Sequence, residues 1–526
     1  MNRVMCYDLQ AKKGGDMKSI RIENVRSLRD TGDVDIAPIT LLVGKNSTGK
    51  STFLKAFPLI KQSLVRNTVG PLLWVGDDNG YVDFGGFDDA VSFGEDSICF
   101  SFVFEVATGL LEAGRNNPLF INSSVFEAKE ILKYTITIKH KDTDYVSEAL
   151  LEIRIGKSFA ELLRLSYDVG EDGEVILAEI DIGCENHFDA ADMKNIPQPY
   201  RLKSSVHRAS SIFGFHFPDP WTLIGLFDAK TNCFSNMNNP EALARIGACL
   251  SNGIAFENLR DFPDDEQAYF RYCQEILESK SEKDQRYIYQ VCKGLYDLDL
   301  LRDADQKLND ILCNIHYIAP VRATAERYIR IRNLAVDEVD CQGRNLAVYL
   351  NDMSENDLKK CQEWTANYFG FRIYVQGETG HFSLSISIEG SYRRINLADV
   401  GFGYSQILPI LAELWSIAFM KSNSAIFLIE QPELHLHPAL QGKLVRAIAD
   451  IAAAARGRLS IIMETHGKTF IEELGMAIDE KKLDRKLVNV VLFEMNGMYD
   501  SKVTATCFDE FGYLEKWPLG FLDAEL

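Results

Sequence analysis

Hydrophobic and polar residues alternate over much of the first third of the chain. Residues 19–25 and 33–36 follow the period of two that is typical of a half-buried strand. Residues 72–185 contain many similar segments, of which 99–104 and 134–138 are the clearest. The pattern predicts strands at 19–25 and 33–36 and a mainly β-structured region from 72 to 185.

The period changes further along the chain, between about residue 240 and residue 315. Two sets of apolar residues there have the spacing of a helix face: Tyr269, Tyr272, Cys273 and Ile276, and then Leu301, Ala304, Leu308 and Leu312. The second predicted helix ends before a strand at 315–318. From residue 370 onward predicted strands and helices alternate again, which indicates that an α/β core is completed there.

Composition narrows the class of protein. With 526 residues and 46% hydrophobic content, the chain can form two or three substructures. It has no apolar stretch of the roughly 20 residues that span a bilayer. For this reason we expect no membrane partner. The chain's 11 cysteines include no C-x-x-C pair, which predicts reduced thiols in a cytoplasmic protein. The net charge of −20 disfavours non-specific binding to nucleic acid, although a local basic patch stays compatible with it.

The first 16 residues are set apart from the rest. Residues 12–16, just before Met17, are what a bacterial ribosome-binding site would encode. We expect translation to start at Met17. A peptide from residues 2–12 in the mass spectrum of natively expressed protein would contradict this.

A glycine-bounded loop is the most specific motif in the chain. The phosphate-loop pattern G-x-x-x-x-G-K-[ST] is matched by Gly44, Lys45, Asn46, Ser47, Thr48, Gly49, Lys50 and Ser51, and Thr52 follows. A hydrophobic strand at 39–43 precedes the loop, and a helix is predicted from Ser51 to Phe57, where Pro58 should end or kink it. This strand–loop–helix context favours nucleotide binding over an ordinary glycine-rich turn.

Each part of the loop has a chemical role in such a site. The glycines allow backbone N–H groups to surround phosphate oxygens, and the N-terminus of the helix adds a favourable dipole. Lys50 would contact the β- and γ-phosphates, and the Ser51 hydroxyl would bind Mg²⁺. We therefore assign residues 44–52 to the binding of a nucleotide with Mg²⁺; ATP is the nucleotide implied by the family resemblance given below.

Two later strands end in residues suited to the same chemistry. The hydrophobic segment 425–430 ends in Glu430, as in a Walker B motif, whose carboxylate binds Mg²⁺ directly or through water. The segment 460–463 is followed by Glu464, Thr465 and His466. A histidine there can hydrogen-bond the γ-phosphate, although alone it would more simply bind a nearby backbone group. We assign catalytic roles to Glu430, Gln431 and His466, and metal binding to Ser51 and Glu430.

A second glycine-rich segment precedes a predicted helix at 407–411. Gly401, Gly403, Ser405 and Gln406 are candidate nucleotide-binding residues, because the free N–H groups of a helix N-terminus bind anions. Ser405 has the side chain expected of the N-cap. The alternative is a simple turn into the helix.

The order of these motifs resembles the ATP-binding-cassette (ABC) heads of the SMC, RecF and OLD type. Residues 400–409 and 430–438 look more specifically like a bacterial group of AAA-family ATPases that includes ATPases of antiphage defence systems such as Septu. Residues 317–322 and 517–521 are also similar to that group, whereas residues 186–310 contain no motif of it.

This resemblance implies an α/β fold: a P-loop NTPase with an ABC-type head, a β-rich N-terminal lobe and a helical insertion. The implied domains are 17–185 and 313–526, which form the two parts of the head, and 186–312, the mostly helical insertion. Two heads would pack head to tail, with residues 401–406 of one covering ATP bound by Lys50 of the other. Residues 435–438 would occupy the D-loop position at that interface.

The sequence departs from the ABC pattern in one place. The residue after the Walker B acid is usually a glutamate that activates water, but here it is Gln431. An amide can orient water but cannot accept its proton, so we expect slow turnover and a long-lived ATP-bound assembly. Glu433 and Glu464 are the candidate substitutes.

The resemblance also directs the functional hypotheses. OLD relatives continue into a nuclease domain, but this sequence ends at residue 526, soon after His466, without an acidic cluster of nuclease spacing. The leading hypothesis is an ATPase that oligomerises and scaffolds or regulates a separate nuclease, HNH or Toprim, in antiphage defence. The alternative is a RecF/SMC-like ATPase in DNA repair or maintenance. The long separation of Lys50 from Glu430 disfavours an ABC transporter motor.

Two further groups of residues have more than one interpretation. Arg322, Arg327, Arg330 and Arg332 form the densest arginine cluster. A solvated face is the favoured interpretation, and a DNA contact or an arginine that completes the ATP site are the alternatives. His435 and His437 suggest a metal site, but loop residues are the favoured interpretation.

Overall fold

A computed structural model describes most of the chain. The described residues are 17–66, 71–76, 80–107, 129–141, 144–155, 158–169, 175–182, 186–195, 223–227, 281–330, 336–378, 381–388, 390, 393–455, 457–497 and 499–517. The chain divides into two compact units, a first unit of residues 1–65, 74–95 and 311–526 and a second unit of residues 66–73 and 96–310. The predicted domain boundaries stay a prediction, since much of 186–312 lies outside the described residues.

The strands of the first unit come from both ends of the chain. They are β1 (Met17–Val25), β2 (Leu28–Asp30), β3 (Val34–Asp35), β4 (Ile39–Gly44), β11 (Ile315–Ile318), β12 (Ile329–Arg330), β13 (Phe371–Glu378), β14 (His381–Ile388), β15 (Ile395–Asn396), β16 (Ala425–Glu430), β17 (Leu459–Glu464), β18 (Val488–Asn496) and β19 (Asp500–Thr506). The second unit contains β5 (Ser97–Ala107), β6 (Lys129–Lys141), β7 (Asp144–Ile155), β8 (Ser158–Val169), β9 (Val175–Ile182) and β10 (Asn186–Phe188).

The helices are numbered in the same way. They are α1 (Lys50–Leu64), α2 (Phe87–Ala90), α3 (Ala190–Lys194), α4 (Glu282–Cys313), α5 (Leu346–Asp352), α6 (Glu355–Phe369), α7 (Phe402–Phe419), α8 (Pro438–Ala454) and α9 (Lys468–Asp479). Residues 223–227 are also helical. No helix in the described part of the chain combines the length and the apolar composition needed to cross a bilayer.

A six-stranded sheet forms the centre of the first unit, in the order β11-β16-β17-β4-β18-β19. Its neighbouring strands are parallel except for the antiparallel pair β18 and β19. Every residue of β4, β16 and β17 is buried, which explains their unbroken aliphatic sequences, because parallel strands are covered on both faces. The predicted strands at 39–43, 315–318, 425–430 and 460–463 are confirmed.

The order of strands positions two acidic strand ends beside the phosphate loop. β17 lies between β4 and β16, and Glu464 is paired in register with Glu430. Parallel strands end at the same edge of a sheet, so the ends of β4, β16 and β17 lie together there. Helix α7 is part of the core around this sheet, and its residues 405–418 are all buried, as in a helix that is apolar all round.

Helix α1 is longer than the sequence predicts. Of the two predicted effects of Pro58, a kink or an end, the end is wrong, because the helix continues to Leu64. A proline inside a helix removes one backbone hydrogen bond, but here tertiary packing compensates. Residues 56–63 are all buried, and Lys61 Nζ donates to the Ile315 carbonyl at 2.7 Å and to Glu338 Oε2 at 2.7 Å.

The second unit contains an antiparallel series of strands from β5 to β10, each paired with the next. The predicted strands at 99–104 and 134–138 are confirmed within β5 and β6. Leu301, Ala304 and Leu308 are buried on α4, as predicted, and Tyr134 donates a 2.9 Å hydrogen bond to Asp305 of that helix. The predicted helix face at 269–276 lies outside the described residues.

Candidate nucleotide site

The loop between β4 and α1 has the backbone shape of a phosphate-binding loop. Gly44 and Gly49 have φ angles of 155° and 89°, which glycine adopts readily. A Cβ at Gly44 would lie 2.2 Å from the carbonyl oxygen of Phe493, so no other residue fits there. The remaining predicted loop residues are placed as follows: Lys45, Asn46 and Ser47 are exposed, Thr48 is buried, and Thr52 lies in the first turn of α1.

Lys50 is buried within this loop, with 2% of its surface exposed. Its Nζ donates to the carbonyl oxygen of Lys45 at 2.6 Å, and the Thr48 hydroxyl donates to the same oxygen at 2.9 Å. Burial lowers the pKa of Lys50, and Glu464 and Glu433 partly offset this effect. The loop therefore contains a buried ammonium group whose charge a nearby anion would stabilise.

Ser51 contacts the acid that ends β17. Its Oγ donates to Glu464 Oε1 at 2.8 Å. Glu464 is 2% exposed, and its Oε2 is buried without a hydrogen-bond partner. Burial raises the pKa of this carboxyl group, and the hydrogen bond from Ser51 and the charges of Lys50 and Lys55 oppose that shift.

Glu430, the last residue of β16, contacts a different set of residues from Glu464. Its Oε1 accepts a 2.8 Å hydrogen bond from the Tyr317 hydroxyl, and its Oε2 lies 3.6 Å from Lys55 Nζ. Burial raises the pKa of Glu430 to about 7. Ser51 and Glu430, the two residues predicted to bind metal, are therefore not hydrogen-bonded to each other; Ser51 is bonded to Glu464 instead.

The residues after the two strand ends are linked to each other. Gln431 has a φ of 42°, and its N–H donates to the Glu464 carbonyl at 2.8 Å. The Glu433 carboxylate accepts from the backbone N–H of His466 at 2.7 Å and from Thr465 Oγ1 at 3.0 Å. His466 Nε2 lies 3.8 Å from Glu464 Oε1, and burial together with Lys50 lowers the pKa of this histidine. All three predicted catalytic residues therefore lie at this edge of the sheet.

The second glycine-rich segment, residues 401–406, begins a helix as predicted, but the helix starts earlier than the sequence indicates. Helix α7 begins at Phe402 with Gly401 as its N-cap, so the prediction of Ser405 as N-cap is wrong. Ser405 lies inside the first turns, where its hydroxyl donates to the Phe402 carbonyl at 2.7 Å. Local composition did not reveal that the N-cap lies four residues earlier. Ser405 and Gln406 are buried, whereas Gly401 is exposed.

The start of α7 packs against the loop that follows β16. A Cβ at Gly403 would lie 2.9 Å from the His435 carbonyl oxygen, and the rings of Phe402 and His435 contact edge to face at 4.9 Å. His437 Nδ1 accepts the N–H of Ala439 at 3.2 Å and so caps α8. His435 thus lies in the loop between β16 and α8, and His437 lies at the end of that loop, as the favoured interpretation expects.

The arginine cluster does not form one face. Arg322 is buried, and its Nη2 donates to the carbonyl oxygen of Glu430 at 2.9 Å, while Nε and Nη1 are buried without a partner. Burial lowers its pKa to about 10. Arg327 is exposed and paired with Asp399, Arg330 is exposed, and Arg332 lies outside the described residues.

The favoured interpretation of a solvated face is therefore wrong for Arg322. The physical reason is its position four residues beyond β11, at the edge where β16 also ends. Sequence reasoning also missed Tyr317 as a partner of Glu430. Its place near the end of a predicted buried strand was the feature that could have indicated it.

The sequence matches one protein-family model over most of its length. The family model described as "AAA domain, putative AbiEii toxin, Type IV TA system" matches residues 39–471. No curated protein matches the chain significantly.

Among solved structures, similar chains include SMC head domains. One, from Pyrococcus furiosus, has an extended coiled coil and is bound to the C-terminal domain of ScpA; it has 12% identity and a TM-score of 0.34, with 93% of this chain and 96% of that chain covered. The head with a coiled coil and joint from Pyrococcus yayanosii has 10% identity and a TM-score of 0.35, with 94% and 97% covered. The head from Thermotoga maritima has 10% identity and a TM-score of 0.33, with 93% and 98% covered. TM-scores this low bear on neither fold nor function.

Proposed function

Because this chain belongs to the AAA-domain family whose model spans residues 39–471, we propose that it is a P-loop ATPase with an ABC-type head that binds ATP with Mg²⁺, hydrolyses it slowly and oligomerises through it. The observation that supports this best is the convergence of Lys50, Ser51, Glu430 and Glu464 at the edge where β4, β16 and β17 end. An ammonium, a hydroxyl and two carboxylates at a helix N-terminus suit a magnesium–triphosphate ligand.

The residues of the phosphate loop have defined tasks in this proposal. The backbone N–H groups between Gly44 and Ser51 donate to phosphate oxygens, and Lys50 exchanges its bond to the Lys45 carbonyl for a phosphate. Ser51 and the acids of the strand ends would hold Mg²⁺ directly or through water, with the oxygen donors that this ion prefers, and the unpartnered Glu464 Oε2 fits such a donor set. When bound, Mg²⁺ would neutralise charge on the β- and γ-phosphates.

Slow turnover follows from Gln431. Its amide can orient a water molecule but cannot take the proton that the water loses. The two acids named as substitutes are not equivalent, since both oxygens of Glu433 already accept hydrogen bonds whereas Glu464 retains one unpartnered oxygen. We expect steady-state turnover below about 10 s⁻¹, the median for enzymes.

ATP would join two copies head to tail, with Gly401, Gly403, Ser405 and Gln406 of one copy covering the triphosphate of the other. Support comes from the exposed start of the long helix α7, where Gly401 is accessible and Phe402 is 43% exposed. The burial of Ser405 and Gln406 assigns their contribution to backbone N–H groups and to the shape of the first turns.

The partner we propose is a separate nuclease, HNH or Toprim, that this ATPase scaffolds or regulates in antiphage defence within the cytoplasm. The likeness of residues 400–409 and 430–438 to defence ATPases supports this, as does the reference to a toxin and a toxin–antitoxin system in the family's description. The alternative is a RecF/SMC-like DNA ATPase, for which Arg322 is excluded as a DNA contact because it is buried.

A Lys50→Ala variant tests nucleotide binding. We expect it to weaken affinity for a fluorescent ATP analogue by about 10- to 100-fold, since the loss of a charge-assisted hydrogen bond costs about 1.5–3 kcal/mol. Lys486→Ala, at an exposed lysine far from the loop in sequence, is the matched control and should bind normally. Undiminished affinity in Lys50→Ala would overturn the proposal.

Oligomerisation and the partner need separate measurements. The mass of the wild-type complex should at least double when ATP is added, and a protein that stays monomeric in every nucleotide state would contradict the head-to-tail arrangement. Purification from native cells with ATP should recover a nuclease. Recovery of DNA alone would support the alternative function.

A further inference from the structure

The acid nearest to the Ser51 hydroxyl is Glu464, which the sequence motif does not identify as a metal ligand. Ser51 Oγ and Glu464 Oε1 are 2.8 Å apart, whereas Glu430 makes no hydrogen bond to Ser51. We propose that Glu464 binds Mg²⁺ directly together with Ser51, and that Glu430 acts on the ion only indirectly. This inference rests on the proposed binding of magnesium–ATP at the phosphate loop.

The distance between the two oxygens supports the assignment. Mg²⁺ takes octahedral coordination with oxygen ligands at about 2.0–2.1 Å, so neighbouring ligands of one ion lie about 2.9 Å apart. The observed separation of 2.8 Å matches one edge of that octahedron. A serine hydroxyl has two lone pairs, so Ser51 can turn its proton away from Glu464 and present a lone pair to the ion.

The second oxygen of Glu464 gives independent support. Oε2 is buried and has no hydrogen-bond partner, and the residue is 2% exposed. A buried carboxylate oxygen without a partner is costly, and a divalent cation is a ligand that would compensate it. Lys50 and Lys55 contribute positive charge nearby, but neither donates a hydrogen bond to it.

Glu430 is already occupied by contacts of its own. Tyr317 donates to Oε1 at 2.8 Å, Lys55 lies 3.6 Å from Oε2, and Arg322 binds the backbone carbonyl. Tyr317 thus fixes the orientation of this carboxylate, and Oε2, the oxygen that Tyr317 does not contact, lies beside the positive charge of Lys55, which competes with a metal ion for it. The strand order explains the difference, because β17 is adjacent to β4 and β16 is one strand further away.

Mn²⁺ is the probe for this assignment, because its binding can be followed by electron paramagnetic resonance in the complex with a non-hydrolysable ATP analogue. We expect Glu464→Gln to weaken Mn²⁺ binding about tenfold or more, in line with the loss of a metal-site group. Affinity for the ATP analogue in EDTA should change less than twofold. Glu430→Gln should weaken Mn²⁺ binding clearly less than Glu464→Gln does.

Two further variants make the test decisive. Glu464→Asp keeps the negative charge but moves the carboxylate oxygens away from the ion, because its side chain is shorter. Its Mn²⁺ affinity should lie between those of wild type and Glu464→Gln. Glu510→Gln, at an exposed position, should match wild type. Glu464→Gln with unchanged Mn²⁺ affinity would overturn the proposal, even if hydrolysis slowed, because Glu464 would then act on water and not on the ion. Failure of wild type to bind the ATP analogue in the presence of Mg²⁺ would instead overturn the proposed function.

Discussion

The neighbouring strands β16 and β17 have similar sequences, but the glutamates that end them contact different residues. Each is a fully buried strand that ends in glutamate, and Glu430 and Glu464 are paired in register. Glu430 is surrounded by Tyr317, Lys55 and Arg322, while Glu464 faces Ser51 with one oxygen and has no partner for the other. The neighbouring strand, and not the strand's own sequence, decides which acid reaches the phosphate loop.

The largest effect that would sharpen this comparison is expected from Arg322→Ala. Its truncation removes a charge-assisted hydrogen bond to the Glu430 carbonyl and leaves a cavity at the end of β16, which should destabilise the fold by about 3–5 kcal/mol. Differential scanning calorimetry would show this as a lower unfolding midpoint. The exposed Arg330→Ala is the matched control and should shift the midpoint little. A loss below about 1 kcal/mol would mean that Arg322 does not support the β16 end.

The second largest effect is the contribution of Glu430 to the pH dependence of folding stability. Glu430 keeps its proton in the folded state up to a pKa of about 7, whereas the unfolded state releases it near the ordinary value of 4.5. The folded state therefore binds more protons between these values, and stability falls as pH rises from about 4.5 to about 7, by about 3 kcal/mol in total.

Glu430→Gln should abolish this part of the pH dependence. Without Mg²⁺ or nucleotide, the variant should gain about 3 kcal/mol relative to wild type on going from pH 4.5 to pH 8. Denaturation at both pH values measures the change. A difference between variant and wild type that is the same at both pH values would show that Glu430 is not protonated by burial.

Gln431→Glu would make the β16 end resemble the usual ATPase pattern. An added carboxylate can accept the proton of the attacking water, so ATP hydrolysis should accelerate about tenfold or more. Phosphate release at saturating magnesium–ATP is the measurement, with the exposed Gln376→Glu as control. An unchanged rate would indicate that the acid at the β17 end already performs this role.

The smallest effect concerns the loop that follows β16. Ala at position 403 would bring its Cβ within 2.9 Å of the His435 carbonyl oxygen, whereas a Cβ at Gly401 meets nothing within 4 Å. Gly403→Ala should therefore lower stability by about 1 kcal/mol, and Gly401→Ala should leave it nearly unchanged. Equal effects on unfolding would show that the contact of α7 with residue 435 does not constrain the loop.

Much of the fold follows from the sequence because its decisive strands are buried on both faces. The aliphatic sequences before Gly44, Glu430 and Glu464 are those of strands covered on both faces, and the predicted α/β P-loop NTPase fold is confirmed. The convergence of the loop, Glu430 and His466 also follows, since the ends of parallel strands meet at one edge.

The differences arise where distant parts of the chain decide the outcome. The continuation of α1 beyond Pro58 depends on packing around Lys61, and the burial of Arg322 depends on its placement against β16. The pairing of Ser51 with Glu464 depends on strand order, which no local period of hydrophobic residues encodes. The start of α7 at Phe402 depends on contacts with residue 435.

The arrangement of the central sheet has a consequence for biosynthesis. The loop strand β4 is made early, but its two partners, β17 and β18, emerge from the ribosome about 400 residues later. At ordinary elongation rates this delay is about 20 to 80 seconds, during which an aliphatic segment waits without its pairing strands. A polypeptide whose synthesis stops before residue 459 would therefore contain the triphosphate motif but no competent ATPase. Chaperones that shield nascent chains should bind this N-terminal segment until the last third has been translated.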